Sequence, residues 1–137
     1  MIAGIGLDLV KASRMERWLA DADLLARYFH PGEVEDIRKR RGTHALNSAA
    51  ARFAAKEAFA KAIGSGIQGF SLRNVRVAQL PSGKPELLLY GDAQSAFSRA
   101  GGGRLHLSLS HDGGIAGAVG VIEQTDGMAA ENGKDGI

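Results

Sequence analysis

An alanine-rich run between Ser48 and Gly64 limits the folds open to this chain more than any other stretch. Alanine, lysine, glutamate and arginine favour helix, Asn47 or Ser48 can cap the start, and Gly64 suits a left-handed stop. Apolar residues surround most of the circumference, which is typical of a buried helix. The sequence therefore predicts a central helix around which the other elements pack.

Four charged residues interrupt this apolar run, namely Arg52, Lys56, Glu57 and Lys61. A buried charge is costly unless it has a partner charge, a metal or a ligand. Glu57 and Lys61 are four residues apart, so an ordinary helix ion pair between them is one interpretation. The other is that the helix faces an anionic ligand together with a cation.

The first strand supplies a second unusual acid. Between Ile2 and Val10 the apolar residues alternate with Gly4, Gly6 and Asp8, which is the period of a strand. The two glycines allow a close approach to the backbone, and Asp8 stands at the end of that bare face. The alternative to a functional role is that the Asp8 side chain caps the helix that follows the strand. Leu9 occupies the place of the third glycine of a dinucleotide fingerprint, so that motif is absent.

Asp8 and Glu57 are the two acids that look least like surface residues. Magnesium prefers oxygen ligands and is typically held by one or two carboxylates together with substrate phosphates. The pair therefore indicates a magnesium site, and Lys61, one turn after Glu57, could reach the same phosphates.

The 137 residues fit one domain, and the absence of cysteine excludes disulfides, thiolate metal ligands and cysteine nucleophiles. We expect no membrane association and a cytoplasmic location, because no apolar run approaches the length of a membrane span and no signal peptide is recognisable. The net charge of +2 leaves an acidic macromolecule such as a nucleic acid open as a partner. The sequence lacks aromatic residues for base stacking and an extended basic groove, however, so we expect no nucleic-acid partner.

The remaining pattern predicts an α+β fold with an antiparallel or mixed sheet packed against the central helix. Residues 1–124 form the domain, and the polar segment 125–137 is predicted to be a disordered tail. The turn at 64–69 is glycine-rich and could lie against phosphates. The predicted strands are 2–10, 73–80, 85–90, 104–111 and 115–123, and the other predicted helices are Ser13–Phe29, Glu33–Arg41 and Gly91–Ala100.

Two further residues are candidates for anion binding. Lys84 stands at the tip of the predicted hairpin, and His111 ends a strand beside two glycines. Both are more often plain surface residues. Ser108 and Ser110 near histidines do not form an oriented serine relay, so nucleophilic catalysis by the protein is not indicated.

Four segments resemble, in order and spacing, the holo-[acyl-carrier-protein] synthases of the 4′-phosphopantetheinyl transferase superfamily. They are Ile5-Gly6-Leu7-Asp8-Leu9-Val10 with Arg14, Arg52-Phe53-Ala54-Ala55-Lys56-Glu57-Ala58 followed by Lys61-Ala62-Ile63-Gly64, Gly83-Lys84-Pro85, and Leu107-Ser108-Leu109-Ser110-His111. The resemblance extends from about Ile2 to Glu123, and the segments are specific as a set.

The resemblance implies transfer of the 4′-phosphopantetheine arm of coenzyme A to a serine of acyl carrier protein, with release of adenosine 3′,5′-bisphosphate. This is a magnesium-dependent cytoplasmic step of fatty acid biosynthesis. The roles it implies are Asp8 and Glu57 as metal ligands, Lys61 as neutralising charge at the pyrophosphate, Arg52, Lys84 and His111 at the nucleotide phosphates, and Ser110 and Gly64 in the pocket lining. Three candidates remain for the base that accepts the proton of the carrier serine: Glu57, a water on the metal, and Glu33.

The resemblance also implies a homotrimer with each active site between neighbouring subunits. On the helix Ser13–Phe29, Arg14 and Arg17 share a face and are predicted to dock the acidic carrier protein, with Met15 nearby. Asp21 and Asp23 depart from this basic character. The alternative function is a non-catalytic module that binds coenzyme A or a nucleotide.

Overall fold

The computed structural model describes residues 1–64 and 69–125, which form five strands and five α-helices within that part of the chain. The strands are β1 (Ile2–Lys11), β2 (Val75–Gln79), β3 (Pro85–Leu89), β4 (Arg104–Asp112) and β5 (Ile115–Glu123). The helices are α1 (Met15–Leu19), α2 (Ala22–Tyr28), α3 (Pro31–Arg38), α4 (Thr43–Ile63) and α5 (Gly91–Arg99). The predicted α+β architecture is confirmed.

The strands form two antiparallel sheets rather than the single sheet that we expected. One sheet has the order β1-β5-β4, and β2 and β3 form a separate hairpin. Strands β3 and β4 lie close together but share no hydrogen-bonded ladder. The residue pattern predicted each strand correctly, but it contained no information on this break.

Helix α4 is the central element, and it begins at Thr43, earlier than the sequence suggested. Its N-cap is Gly42, with φ 56°, so the predicted cap at Asn47 or Ser48 is wrong. The Ser48 hydroxyl instead accepts a hydrogen bond from Arg52 within the helix. The predicted stop is confirmed, because Gly64 has φ 90° in the left-handed region.

The two glycines of β1 allow α4 to lie directly on the strand backbone. A Cβ atom built on Gly6 would be 2.0 Å from the carbonyl oxygen of Ala58, and one on Gly4 would be 2.0 Å from that of Ala62. Only hydrogen fits there. The bare strand face therefore contacts helix backbone rather than a ligand, and this contact brings Asp8 beside α4.

The segment predicted as one helix from Ser13 to Phe29 is broken into three pieces. A 3₁₀ turn precedes α1, and the chain bends before α2, where the Asp21 carboxylate accepts a hydrogen bond from the Leu24 amide at 3.1 Å. Asp21 is thus an N-cap, a role that Asp, Asn and Ser favour. Met15 is fully buried, so it cannot contact a partner as we had expected.

The core lies between α4 and the inner face of the three-stranded sheet, with α2, α3 and α5 around it. On the outer face of that sheet β1 is apolar and uncovered, since Ile5, Leu7 and Leu9 are 64%, 57% and 65% exposed, whereas β4 presents His106 and Ser108 there. Among the described helices, none combines the length and apolar character needed to cross a bilayer. The predicted tail at 126–137 and the turn at 65–68 lie outside the described residues.

Replacement of Gly6 by alanine tests the contact between β1 and α4. We expect Gly6→Ala to lower the free energy of unfolding by about 1–3 kcal/mol or more, because the new methyl group overlaps the helix backbone and the two elements must separate. Urea unfolding followed by circular dichroism measures the change.

Gly120→Ala is the matched control, because Gly120 faces the same helix from β5 and its added Cβ would be 3.7 Å from the nearest atom. We expect a neutral effect or a gain of about 0.4–1 kcal/mol from the stiffer unfolded chain. Equal destabilisation by both substitutions would show that the close approach is not specific to Gly6.

Candidate active site

Asp8 and Lys61 meet where β1 crosses the C-terminal half of α4. The Lys61 ammonium donates to Asp8 Oδ1 at 3.1 Å and to the Leu7 carbonyl oxygen at 2.9 Å. The Asp8 side chain is 18% exposed and that of Lys61 is 53% exposed. Asp8 does not cap a helix, so that alternative is wrong, and Lys61 pairs with Asp8 rather than with Glu57 within its own helix.

Glu57 lies beside this pair and is half-buried. Burial, and next the negative charge of Asp8, raise the pKa of Glu57, whereas Lys61 and Arg14 oppose the shift. The Glu57 carboxylate is thus partly desolvated and close to a second negative charge, and a cation there would favour its ionised form. The sequence prediction that Asp8, Glu57 and Lys61 converge is thus met by the fold.

The donor set fits a hard divalent cation. The side chains of Asp8 and Glu57 lie close together, and both are partly buried. Two protein carboxylates, with waters and phosphate oxygens completing the shell, are a common arrangement for Mg²⁺. Among the described residues no cluster of three or more His, Cys, Asp or Glu could form an all-protein cage.

Arg52 lies on another side of α4 and is only 7% exposed. Its guanidinium contacts the Ser48 hydroxyl and approaches Asp36 Oδ2 at 3.5 Å. Within the described part of the chain its Nε atom has no hydrogen-bond partner, and Glu33 Oε2 lies 3.9 Å from it. Arg52 is therefore a buried cation with unused donor capacity.

Arg52 lines a cleft between α4 and the ends of β2 and β4. Its lining combines apolar residues, among them Ala51, Val77 and Leu109, with the basic and polar side chains of Arg40, His44, Asn47, Arg52, Ser110 and His111. The fold thus brings together Arg52 and His111, for which the resemblance implied contacts with the nucleotide phosphates, and Ser110, for which it implied a place in the pocket lining. Arg40, His44 and Asn47 were not predicted as pocket residues: His44 and Asn47 lie on the first turns of α4, which begins earlier than the sequence suggested, and Arg40 lies between α3 and α4.

Two predicted pocket residues lie apart from Arg52. Lys84 is exposed at the hairpin tip and lines a neighbouring depression with Ser108, which adjoins the Arg52 cleft at Pro85. Gly64 is exposed at the end of α4, where the described chain breaks off. The position of Lys84 allows contact with a ligand that extends out of the cleft.

The acidic site and the basic cleft face different directions. Arg52 and Glu57 are five residues apart on α4, which separates them by about 140° around the helix and about 7.5 Å along it. A single copy of the chain therefore presents two partial sites, one acidic with a lysine and one cationic.

Glu33 is not available as a base. Its side chain is fully buried, and its carboxylate accepts hydrogen bonds from Lys56 and from the amides of His30 and Val77. The alternative that Glu33 is the base that accepts the serine proton is therefore wrong. The signal for this role was present in His30-Pro31-Gly32-Glu33, which forms a capping box at the start of α3.

Arg14 and Arg17 lie on a surface away from the cleft. Arg14 ends the 3₁₀ turn, with its guanidinium 5.3 Å from the centre of the Phe53 ring, and Arg17 is exposed on α1. Trp18 and Tyr28 are half-buried beside them, with ring centres 5.0 Å apart. These aromatic rings, rather than Met15, offer the apolar contact on this surface.

Two adjacent carboxylates can bind a divalent cation, and a lysine beside them can bind phosphate oxygens. Together with a separate cationic cleft, they are typical of a protein that binds a phosphorylated ligand with the help of a metal ion. A sequence profile of the family described as "4'-phosphopantetheinyl transferase superfamily" matches residues 4–112. The chain belongs to this superfamily.

Similar proteins specify the branch. A holo-[acyl-carrier-protein] synthase of Treponema denticola is 46% identical over 123 residues, covering 90% of this chain and 99% of its own. The crystal structure of the corresponding synthase of Neisseria meningitidis has a TM-score of 0.81 at 35% identity, covering 90% of this chain and 99% of its own. That of Bacillus anthracis, in complex with CoA (3′,5′-ADP), has a TM-score of 0.77 at 32% identity, covering 91% and 99%. The resemblance read from the sequence is confirmed.

Proposed function

We propose that this chain transfers the 4′-phosphopantetheine group of coenzyme A to a serine of apo-acyl carrier protein. The observation that carries the proposal is the convergence of Asp8, Glu57 and Lys61 in a chain of this superfamily. Similar chains are named holo-[acyl-carrier-protein] synthases, and a solved relative is described in complex with CoA (3′,5′-ADP).

In the proposed reaction, the serine oxygen forms a bond to the phosphorus that bears pantetheine. The phosphoanhydride bond breaks, adenosine 3′,5′-bisphosphate leaves with the electron pair, and the hydroxyl proton passes to a base. Such a displacement needs little covalent chemistry from the protein, so positioning and charge stabilisation are sufficient. Glu57 and a water on the metal stay open as this base, since Glu33 is enclosed by its own hydrogen bonds.

Asp8 and Glu57 would hold Mg²⁺ against the pyrophosphate, and the ion would supply charge neutralisation at its oxygens. Lys61 already lies at Asp8 and could extend from it to the same oxygens, because more than half of its side chain is exposed. Arg52, His111 and Ser110 would receive the nucleotide phosphates in their cleft, with Lys84 at its margin.

The working form in this proposal is a homotrimer in which one copy supplies Asp8, Glu57 and Lys61 and its neighbour supplies the Arg52 cleft. The opposite directions of the two partial sites support this arrangement. The uncovered apolar face at Ile5, Leu7 and Leu9 supports it as well, because exposed apolar patches of this kind mark interfaces. Most of this face lies on β1, an edge strand of the three-stranded sheet, whereas β5 is its central strand.

Arg14 and Arg17 would dock the acidic carrier protein, with Trp18 as the neighbouring apolar contact. A cytoplasmic role in fatty acid biosynthesis follows from this activity. The competing function is a module that binds coenzyme A without turnover. Incubation with coenzyme A, Mg²⁺ and apo-carrier protein, followed by intact mass, separates the two, because only transfer adds the mass of phosphopantetheine to the carrier.

The two-carboxylate metal site predicts a large effect of Glu57→Gln, which keeps the shape of the side chain and removes its charge. We expect turnover to fall by about 100-fold or more, and Mn²⁺ binding, followed by the electron spin resonance of the free ion, to weaken in parallel. Asp8→Asn should behave alike. Asp112→Asn, on an exposed acid at the end of β4, is the control. Normal turnover of Glu57→Gln at limiting Mg²⁺ would refute the site.

Lys61 and Lys84 should affect different kinetic constants. We expect Lys61→Ala to lower kcat, because Lys61 lies where charge develops, and Lys84→Ala chiefly to raise KM for coenzyme A. Initial-rate measurements over a range of coenzyme A concentrations give both constants. If both variants changed both constants equally, the assignment of the two lysines to different steps would be wrong.

The apolar sheet face predicts that Ile5→Glu breaks the trimer, because a charge would have to be buried in the interface. Light scattering should give a trimer for the wild type and a smaller species for Ile5→Glu, which should also lose activity. Leu80→Glu is the control, since Leu80 is an exposed apolar residue on the hairpin, away from the sheet face. A fully active wild-type monomer would contradict the arrangement.

Docking through Arg14 and Arg17 predicts a change in salt dependence. We expect Arg14→Glu with Arg17→Glu to raise KM for carrier protein and to flatten its dependence on ionic strength, with KM for coenzyme A unchanged. The emission of Trp18, the single tryptophan, should report docking to the wild type.

The control for docking is a double substitution of Arg38 and Arg41 by glutamate. These arginines line a separate groove between α1 and the start of α4. The comparison is the plot of KM for carrier protein against ionic strength. If the plot for the Arg14 and Arg17 variant stays parallel to that of the wild type while the plot for the control flattens, the carrier protein binds in that groove instead.

A further inference from the structure

Lys56 directly precedes Glu57, yet it takes no part in the proposed reaction. Its side chain is fully buried. The ammonium donates to the Glu33 carboxylate, to the Leu72 carbonyl oxygen at 3.0 Å and to the Val75 carbonyl oxygen. All three donors of the lysine are thus used within the protein.

The Glu33 carboxylate is equally engaged. In addition to Lys56, it accepts the His30 amide at 3.0 Å and the Val77 amide at 3.1 Å. The pair therefore connects α3, α4, the 3₁₀ turn Leu72–Asn74 and β2 through hydrogen bonds that are buried, apart from the part-buried one from the His30 amide. A fully satisfied buried network of this kind holds its members in one arrangement.

The Glu33–Lys56 pair holds α4 by hydrogen bonds on the side of the helix opposite to the side that contacts β1. Lys56 and Ala58, whose carbonyl oxygen meets Gly6, are about 200° apart around the helix. Two contacts on opposite sides leave the helix little freedom to rotate. Rotation matters here, because it sets the direction of both Glu57 and Arg52, and Arg52 Nε is itself 3.9 Å from Glu33.

We infer that Glu33 and Lys56 are positioning residues that fix the rotation of α4, so that Glu57 faces Asp8 while Arg52 faces the nucleotide cleft. This inference rests on the proposed function. A role in stability alone is the competing account. Removing one member of a buried pair leaves an unpaired charge and is strongly destabilising, whereas removing both charges is often tolerated.

The experiment compares Lys56→Met, Glu33→Gln and the double variant with the core control Leu25→Ala, which removes buried volume from α2 without touching a polar group. Each protein is measured for Tm, for Mn²⁺ binding in the absence of substrates, and for kcat and both KM values. All kinetic and binding measurements are made well below the lowest Tm of the set.

We expect the single variants to lose Tm and the double variant to regain most of it. Mn²⁺ affinity and kcat should nevertheless stay about tenfold or more below wild type in all three, as for other partners that orient metal ligands. KM for carrier protein should not change, because its docking surface is elsewhere. Leu25→Ala should lose Tm and keep both Mn²⁺ affinity and kcat.

Recovery of Mn²⁺ affinity and kcat together with Tm in the double variant would overturn the inference, since the pair would then act through stability alone. Equal losses of affinity and kcat in Leu25→Ala would overturn it as well. If a single variant does not fold, the double variant still decides, because it lacks both charges of the pair and Arg52 keeps Asp36 as its partner. A wild-type protein that bound no Mn²⁺ and transferred nothing would instead refute the proposed function.

Discussion

The close approach of α4 to the backbone of β1 is the contact on which the other features depend. Gly4 and Gly6 permit it, because any side chain there would overlap the carbonyl groups of Ala62 and Ala58. The contact places a strand acid, Asp8, within ion-pair distance of a helix lysine, Lys61. A helix held one side chain farther away would leave Asp8 without this neighbour.

The charges of α4 then divide into three directions with three uses. Glu57 and Lys61 face Asp8 of β1, Arg52 faces the cleft that it lines, and Lys56 faces inward to Glu33. This division explains how a helix that is apolar around most of its surface can carry four charges, because each has a specific partner or a binding role.

The sequence predicted the strands, the helix stop at Gly64 and the group Asp8, Glu57 and Lys61, because alternation, glycine and a charge on an apolar face are local signals. It missed the break between α1 and α2, since the Asp21 cap resembles an ordinary surface acid until the chain bend is seen. It also left Glu33 open as a base, because only the tertiary contact with Lys56 reveals the burial of that carboxylate. The separation of the sheets at β3 and β4 likewise depends on long-range packing.

The central claim is that each active site combines residues of two copies. It is tested most directly by mixing two inactive proteins, one with Glu57→Gln and one with Lys84→Glu and His111→Glu, after joint unfolding and refolding. The account predicts that the mixture regains transfer of phosphopantetheine, because some interfaces then join an intact acidic site to an intact cleft. A mixture that forms mixed trimers and stays as inactive as its components would contradict it.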